Sequence, residues 1–221
     1  RDLQQTIHLT DDSVESIDEL LQNHHPTKII LSSVIKHREG LEAQLGAAAK
    51  FHMLGHASKL PITTPVGKPE TIGADRLAIC SAAVDLFGGQ HNLAIGLGTC
   101  ITYNFTNKYH EFLGGSISPG MNMRFRAMHE QTALLPLIEA QNQFPLVGYD
   151  TKTNLLSGVI LGMAKEIDGI IEAYAEKYSN FNVVLTGGDC TYFERLLKKK
   201  IFADPDLLYK GLYAISETNN K

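Results

Sequence analysis

The chain has 221 residues, 43% hydrophobic and 20% charged, with a formal net charge of −4. That length suits one large or two small domains with a sizeable core, and the charge balance leaves no basic stripe to follow a nucleic-acid backbone. The longest mostly apolar run, 155–164, is far short of the ~20 residues of a membrane span. Three cysteines (Cys80, Cys100, Cys190) without a C-x-x-C point to a reducing, cytoplasmic compartment rather than a disulfide framework. The chain opens at Arg1 with neither an initiator methionine nor a signal-peptide pattern, which reads as a missing beginning.

Asp12 with Glu15 resembles a capping box, Val14, Ile17, Leu20 and Leu21 recur at helical spacing, and Pro26 closes that first helix. Ile29, Ile30, Leu31, Val34 and Ile35 make 28–35 a short buried strand. Residues 38–51, rich in Ala, Leu and Glu, predict a second helix. Three prolines and Gly67 make 60–70 a loop or an edge segment. A helix from about Ala74 to Phe87 ends at Gly88-Gly89, which sets the expected boundary between domains 1–88 and 89–221.

Three strand-like runs follow, 92–95, 100–105 and 109–117. Their connections are too short for crossover helices, so they form a meander. A helix of about three turns follows Pro119-Gly120. Leu156, Ile160, Met163, Ile167, Ile170 and Tyr174 step by 4, 3, 4, 3, 4, one face of a long helix from Leu155 to about Tyr178. Gly158 and Gly162 on it predict close approach by another backbone. The apolar face exceeds what one small domain needs, which predicts a homodimer joined partly through this helix; burial within its own domain is the alternative. Residues 182–185 form a strand opening into Thr186-Gly187-Gly188-Asp189, and 192–200 predict one more helix. No repeat runs along the chain, and the pattern indicates α/β layers.

Several sites are excluded. There is no Walker-type phosphate loop and no H-E-x-x-H. Gly96-Leu97-Gly98 fails as a dinucleotide fingerprint because the third glycine is Ile101. His52 and His56 have helical ligand spacing without a third ligand, and surface histidines are the plainer reading. Ser116 and Ser157 lack a nucleophile elbow. What remains is a set of glycine turns: Gly73 to Arg76, Gly98-Thr99, Gly114-Gly115 with Pro119-Gly120, and Thr186 to Asp189. Each alone is ordinary hairpin punctuation; four together, two with hydroxyls, favour a nucleotide or phosphate site. Asp75-Arg76 is either an acid favourable to a helix dipole or a base beside a cation, and chemistry alone leaves both open.

The ordered series Gly73-Ala74-Asp75-Arg76, Gly98-Thr99-Cys100-Ile101-Thr102 and Leu113 to Gly120 resembles the bacterial type III pantothenate kinase family. So do Thr132 to Pro136, 151–158, Thr186 to Asp189, Asp204 to Leu207 and Gly211-Leu212, which together span essentially the whole chain. The resemblance implies the acetate and sugar kinase, actin and hexokinase superfamily. Its α/β fold has two ribonuclease-H-like (actin-like ATPase) domains, mixed sheets flanked by helices, with the first strands missing here. It implies phosphorylation of pantothenate by ATP with Mg2+, the first step of coenzyme A synthesis, in a homodimer. Gly73, Ala74, Asp75, Arg76 and Thr151 would contact pantothenate, with Asp75 the general base; Gly98, Thr99, Gly187 and Gly188 would contact the nucleotide.

Three departures stand out. The family's opening Asp-x-Gly-Asn-Thr is absent. The aspartate that binds a monovalent cation, potassium or ammonium, is Gly96. An acidic residue common after the Gly-Thr strand is Asn104. A non-catalytic ligand- or partner-binding relative is therefore the alternative to an active kinase, and Asp75, Arg76, Thr99 and Thr151 favour the enzyme.

Overall fold

The computed structural model describes residues 3–33, 35–55 and 57–219. Helix α1 (Val14–His24) is capped by Ser13, whose hydroxyl accepts from the Ser16 amide at 3.2 Å. The expected Asp12–Glu15 box is not used, because Asp12 is engaged by His37 Nδ1 at 2.9 Å. Strand β1 (Lys28–Leu31) is shorter than expected; Val34 lies outside the described residues and Ile35 is exposed. Helix α2 covers only Leu41–Ala48, and strand β2 (Lys50–Met53) follows at once. Helix propensity loses there to pairing: β2 supplies β1 with a parallel partner, Lys28 opposite Lys50.

Helix α3 (Ala74–Leu86) leads into β3 (His91–Leu97), β4 (Cys100–Thr106) and β5 (Phe112–Pro119), the expected meander. Then come α4 (Met121–Glu130) and α5 (Thr151–Leu156), a π-helical turn (Ser157–Leu161), and α6 (Gly162–Lys177). Strand β6 (Phe181–Thr186) precedes α7, which covers Cys190–Glu194 rather than 192–200. Strand β7 (Phe202–Ala203) and helix α8 (Leu207–Asn219) close the chain. The five-stranded sheet runs β5-β4-β3-β6-β7, with β3–β4 and β4–β5 antiparallel and β3–β6 and β6–β7 parallel. The fold is α/β with a mixed sheet.

Alternation decides how that sheet is covered. Leu93, Ile95, Leu97, Ile101, Tyr103, Phe105, Val183 and Leu185 point to one face, where α4, α5, α6 and α7 bury them in the largest core cluster. Each fully buried side chain of this size contributes about 1.5–3 kcal/mol. The stripe Leu156, Ile160, Met163 and Ile167 is consumed in the same core, so this face of the long helix is covered within the chain and supplies no dimer surface. Gly158 and Gly162 correct a second expectation: a Cβ at either would meet nothing within 4 Å.

The opposite face carries small and polar residues and packs against α3, with Ala94 and Val184 under Ile79, Ala82 and Ala83. Helix α8 lies beside α3, so closely that a Cβ on Gly211 would fall 1.8 Å from the Ala78 carbonyl oxygen. The other side of this helix pair meets β1 and the segment after β2 through Ile30, Leu54, Ala78 and Ile215. The two helices thus form a layer between the parallel pair and the mixed sheet, and α3 starts at the sheet's polar face.

Candidate active site

A cavity of about 880 Å³ opens at the start of α3. Five segments border it: the N-terminus of α3 with Gly73, Asp75 and Arg76; the β3–β4 turn with Gly98 and Thr99; the β6–α7 turn with Gly187 and Gly188; the N-terminal stretch with Thr6 and His8; and the start of α8 with Leu208 and Tyr209. Residues separated by more than a hundred positions in sequence are brought to one space because α3 packs on the sheet through Ala94 and Val184, which sets its start beside the ends of β3 and β6 and the start of β4. Ala74 does not join them; it packs toward Leu54, Ala78 and Ile215.

The two sheet turns brace each other. Gly187 has φ +97°, a conformation that disfavours side chains, and a Cβ there would lie 2.3 Å from the Leu97 carbonyl oxygen. The Asp189 amide donates to that same oxygen at 3.2 Å. From the other side the Gly120 amide donates to Thr99 O at 3.1 Å. Just beyond, Arg124 Nε donates to Pro119 O at 2.8 Å and its Nη2 pairs with Glu166. Burial alone would push the Glu166 carboxyl up, but hydrogen bonds from Arg124, Ser118 and Tyr103 bring it below its ordinary value. The Gly98 amide is occupied by Cys100 O at 3.1 Å, whereas the amides of Thr99 and Gly188 have no acceptor among the described residues. Free amides at such a turn suit an anion.

Asp75 stands exposed in the first turn of α3. Its carboxylate folds back over the helix start, where a Cβ on Gly73 would lie 2.5 Å from Oδ1. A negative charge is favourable there because the first helical N–H groups lack carbonyl partners. Beside it, Arg76 Nε donates to Asn104 Oδ1 at 2.6 Å. Behind these, burial pushes the Cys80 thiol far above its ordinary range, which removes it as a nucleophile.

Gly96 sits in a row across three strands, paired with Thr102 on β4 and Thr186 on β6, and all three line the cavity. No side chain comes from the central position, and a Cβ placed there would meet Thr102 Oγ1 at 2.8 Å. The residues present therefore do not fit a carboxylate-held monovalent cation. Among the described residues no group of three His, Cys, Asp or Glu could hold a metal, and Asp75 is the carboxylate lining the cavity. His52 lies on β2, bonded to Ser58 at 2.8 Å, and His56 lies outside the described residues.

Thr151 is not brought to this site. It is exposed at the first position of α5, where Asp150 caps the helix by accepting from the Thr153 amide at 2.7 Å. Conversely, the cavity includes Thr102 and Ile117, which stand in the matched motifs without an assigned role, and Thr6, His8 and Tyr209, which no motif contained. One signal for Thr102 was available. In 92–97, 101–106 and 182–186, large apolar residues alternate with Asn, Thr, Ala, Gly or Val, marking a sheet whose second face holds small polar groups. Asn92, Asn104, Thr106 and Thr186 on that face are all buried.

A family model described as type III pantothenate kinase matches residues 2–173. The type III pantothenate kinase of Cytophaga hutchinsonii is 41% identical over 199 residues, 90% of this chain and 84% of that protein. That of Bacteroides fragilis strain YCH46 is 39% identical over 217 residues, 98% and 89% of the two chains. Among solved structures, a conserved Baf family protein from Campylobacter jejuni superposes with a TM-score of 0.58 at 21% identity, covering 92% of this chain and 88% of its own, and shares the fold.

A mixed α/β sheet with glycine turns converging on one cavity, joined to these matches, defines an ATP-dependent phosphotransferase. The chain belongs to the type III pantothenate kinase family.

Proposed function

We propose that this chain transfers the γ-phosphoryl group of ATP to the primary hydroxyl of pantothenate, with Asp75 as general base. The carrying observation is the convergence of the start of α3 with the two glycine turns on one cavity. Phosphoryl transfer asks mainly for in-line positioning and charge stabilisation. The Thr99 and Gly188 amides face the nucleotide phosphates, with Gly98 and Gly187 shaping the turns that present them. Asp75, raised on a rigid helix start, orients the acceptor hydroxyl and takes its proton as the bond to phosphorus forms. Arg76 faces the anionic end of pantothenate. Magnesium enters as part of the nucleotide substrate and neutralises phosphate charge; bound mostly by phosphates and water, it needs no protein cage.

We read the architecture as two ribonuclease-H-like units, 1–88 and 89–221. Its support is the placement of the β1–β2 pair and the five-stranded sheet on opposite sides of the α3–α8 layer. The protein acts in the cytoplasm as a homodimer. The surface for this lies in 131–150 rather than on the long helix: Leu134 is 92% exposed and Tyr149 81%, with Leu146 and Val147 beside it. Leu135, Ile138 and Phe144 anchor the same segment on the core, so its outward apolar groups are held at the surface.

The test is a pantothenate kinase assay of the full-length protein beside Asp75→Asn. Turnover should fall by ~10²–10⁴-fold with the fold intact. Turnover within threefold of the parent would remove Asp75 from the mechanism.

A further inference from the structure

Arg76 is held on two sides and open on the third. Its Nε donates to Asn104, and its guanidinium carbon lies 5.5 Å from the centre of the Phe112 ring. No further hydrogen bond or ion pair among the described residues engages its Nη atoms. Arg76 also lines the cavity.

Asn104, fully buried in the middle of β4, is itself over-determined. Its Nδ2 faces three acceptors: Ala94 O at 3.1 Å, Thr102 O at 3.2 Å and Thr102 Oγ1 at 3.1 Å. Acceptors on one side and the Arg76 donor on the other assign the amide's nitrogen and oxygen without ambiguity. An aspartate at 104 would keep an acceptor for Arg76 but set its second oxygen against the carbonyls of Ala94 and Thr102. It would also tie part of the guanidinium charge into a buried pair.

We infer that Asn104 is a positioning residue for acceptor recognition: it fixes Arg76 through Nε with a neutral partner, presenting the full charge and both Nη donors to the acceptor's carboxylate. The inference rests on the kinase reading above. Arginine recognises carboxylate through two parallel N–H donors, and that geometry is pre-organised when its remaining N–H is already anchored. The neutral choice is consistent along this face, since Gly96, two residues from Ala94 on the neighbouring strand, brings no carboxylate either. Pantothenate has one anionic group, at the opposite end of the molecule from the primary hydroxyl, and Arg76 lines the same cavity as Asp75 with its Nη atoms uncommitted.

Steady-state kinetics of the full-length protein test this, with pantothenate and ATP varied separately for the parent, Asn104→Ala, Arg76→Lys and the double variant. Asn104→Ala should raise the KM for pantothenate by ~10–100-fold, the worth of a hydrogen bond to a charged group, with the KM for ATP within twofold. In the Arg76→Lys background the same change should add less than about threefold, because lysine offers Asn104 no Nε to hold. Asn104→Asp should bind pantothenate more weakly than the parent. Should Asn104→Ala fail to fold, Phe112→Leu, which loosens the other restraint on Arg76, should give the same split between the two KM values. Additive penalties in the double variant, equal rises in both KM values, or parental affinity in Asn104→Asp would each overturn the inference while leaving the kinase reading intact. A parent that neither turns over nor binds pantothenate would overturn both.

Discussion

Gly211→Ala probes the contact that places Asp75 and Arg76. The new methyl carbon would sit 1.8 Å from the Ala78 carbonyl oxygen and 2.5 Å from its carbon. Ordinary contact begins at 3.4 Å, so α3 and α8 must part by about 1.6 Å at this point. Two effects oppose each other. Alanine is a better helix former than glycine by about 0.8–1.0 kcal/mol. Overpacking costs typically ~1–3 kcal/mol, and a radial gap of even ~1 Å forfeits up to half the dispersion energy of the neighbours pushed apart. Here the obstacle is backbone, which yields less than a side chain, so the upper part of that range applies and the net loss is about 2 kcal/mol. For a chain of this size that lowers Tm by roughly 4–8 °C. The matched control is Gly169→Ala on α6, where a Cβ meets nothing within 4 Å and helix propensity acts alone; its Tm should rise by roughly 2–4 °C. Circular dichroism melts of the two variants measure both shifts. Because α3 carries Asp75 and Arg76, Gly211→Ala should also raise the KM for pantothenate, and Gly169→Ala should not. A Gly211→Ala protein melting at or above the parent would refute the close-packing argument.

Three further outcomes are expected. Activity of the full-length protein should respond little to potassium over sodium at constant ionic strength, since Gly96 supplies no side-chain carboxylate and leaves at most a weak site on backbone carbonyls and water; a large saturable rise with potassium would refute this. Gly96→Asp should increase any dependence only after Thr102 rotates its hydroxyl away, because the new Cβ falls 2.8 Å from Oγ1. Light scattering at tens of micromolar should give a dimer that Leu134→Glu with Tyr149→Glu converts to monomer, and a parent already monomeric would remove the assignment of the patch in 131–150.

Local chemistry in the sequence determined most elements by itself. The meander followed from strand-like runs joined by connections too short to cross over. The helix after Gly73 followed from its apolar content and its Gly88-Gly89 stop, and the long helix from steps of 4 and 3. The glycine turns were visible as candidates because glycine between strands has a local conformational reason.

Only the tertiary structure decided what pairs with what. Lys50 and Phe51 left the expected helix to join His52 and Met53 in β2, because a parallel partner for β1 comes from a contact that propensity does not encode. The apolar stripe on the long helix read equally well as an interface or as a core face, and the sheet settled it by burying Leu156, Ile160, Met163 and Ile167. Gly158 and Gly162 invited a close neighbour and have open space, while Gly211 is the glycine pressed against another helix. Thr151 and Asp75 look like parts of one site along the sequence, yet the chain carries them to different surfaces. Periodicity and capping are set within a few residues, whereas the convergence of α3, the β3–β4 turn and the β6–α7 turn depends on which sheet face α3 covers. That choice is made by packing between segments a hundred residues apart, to which no short stretch of sequence has access.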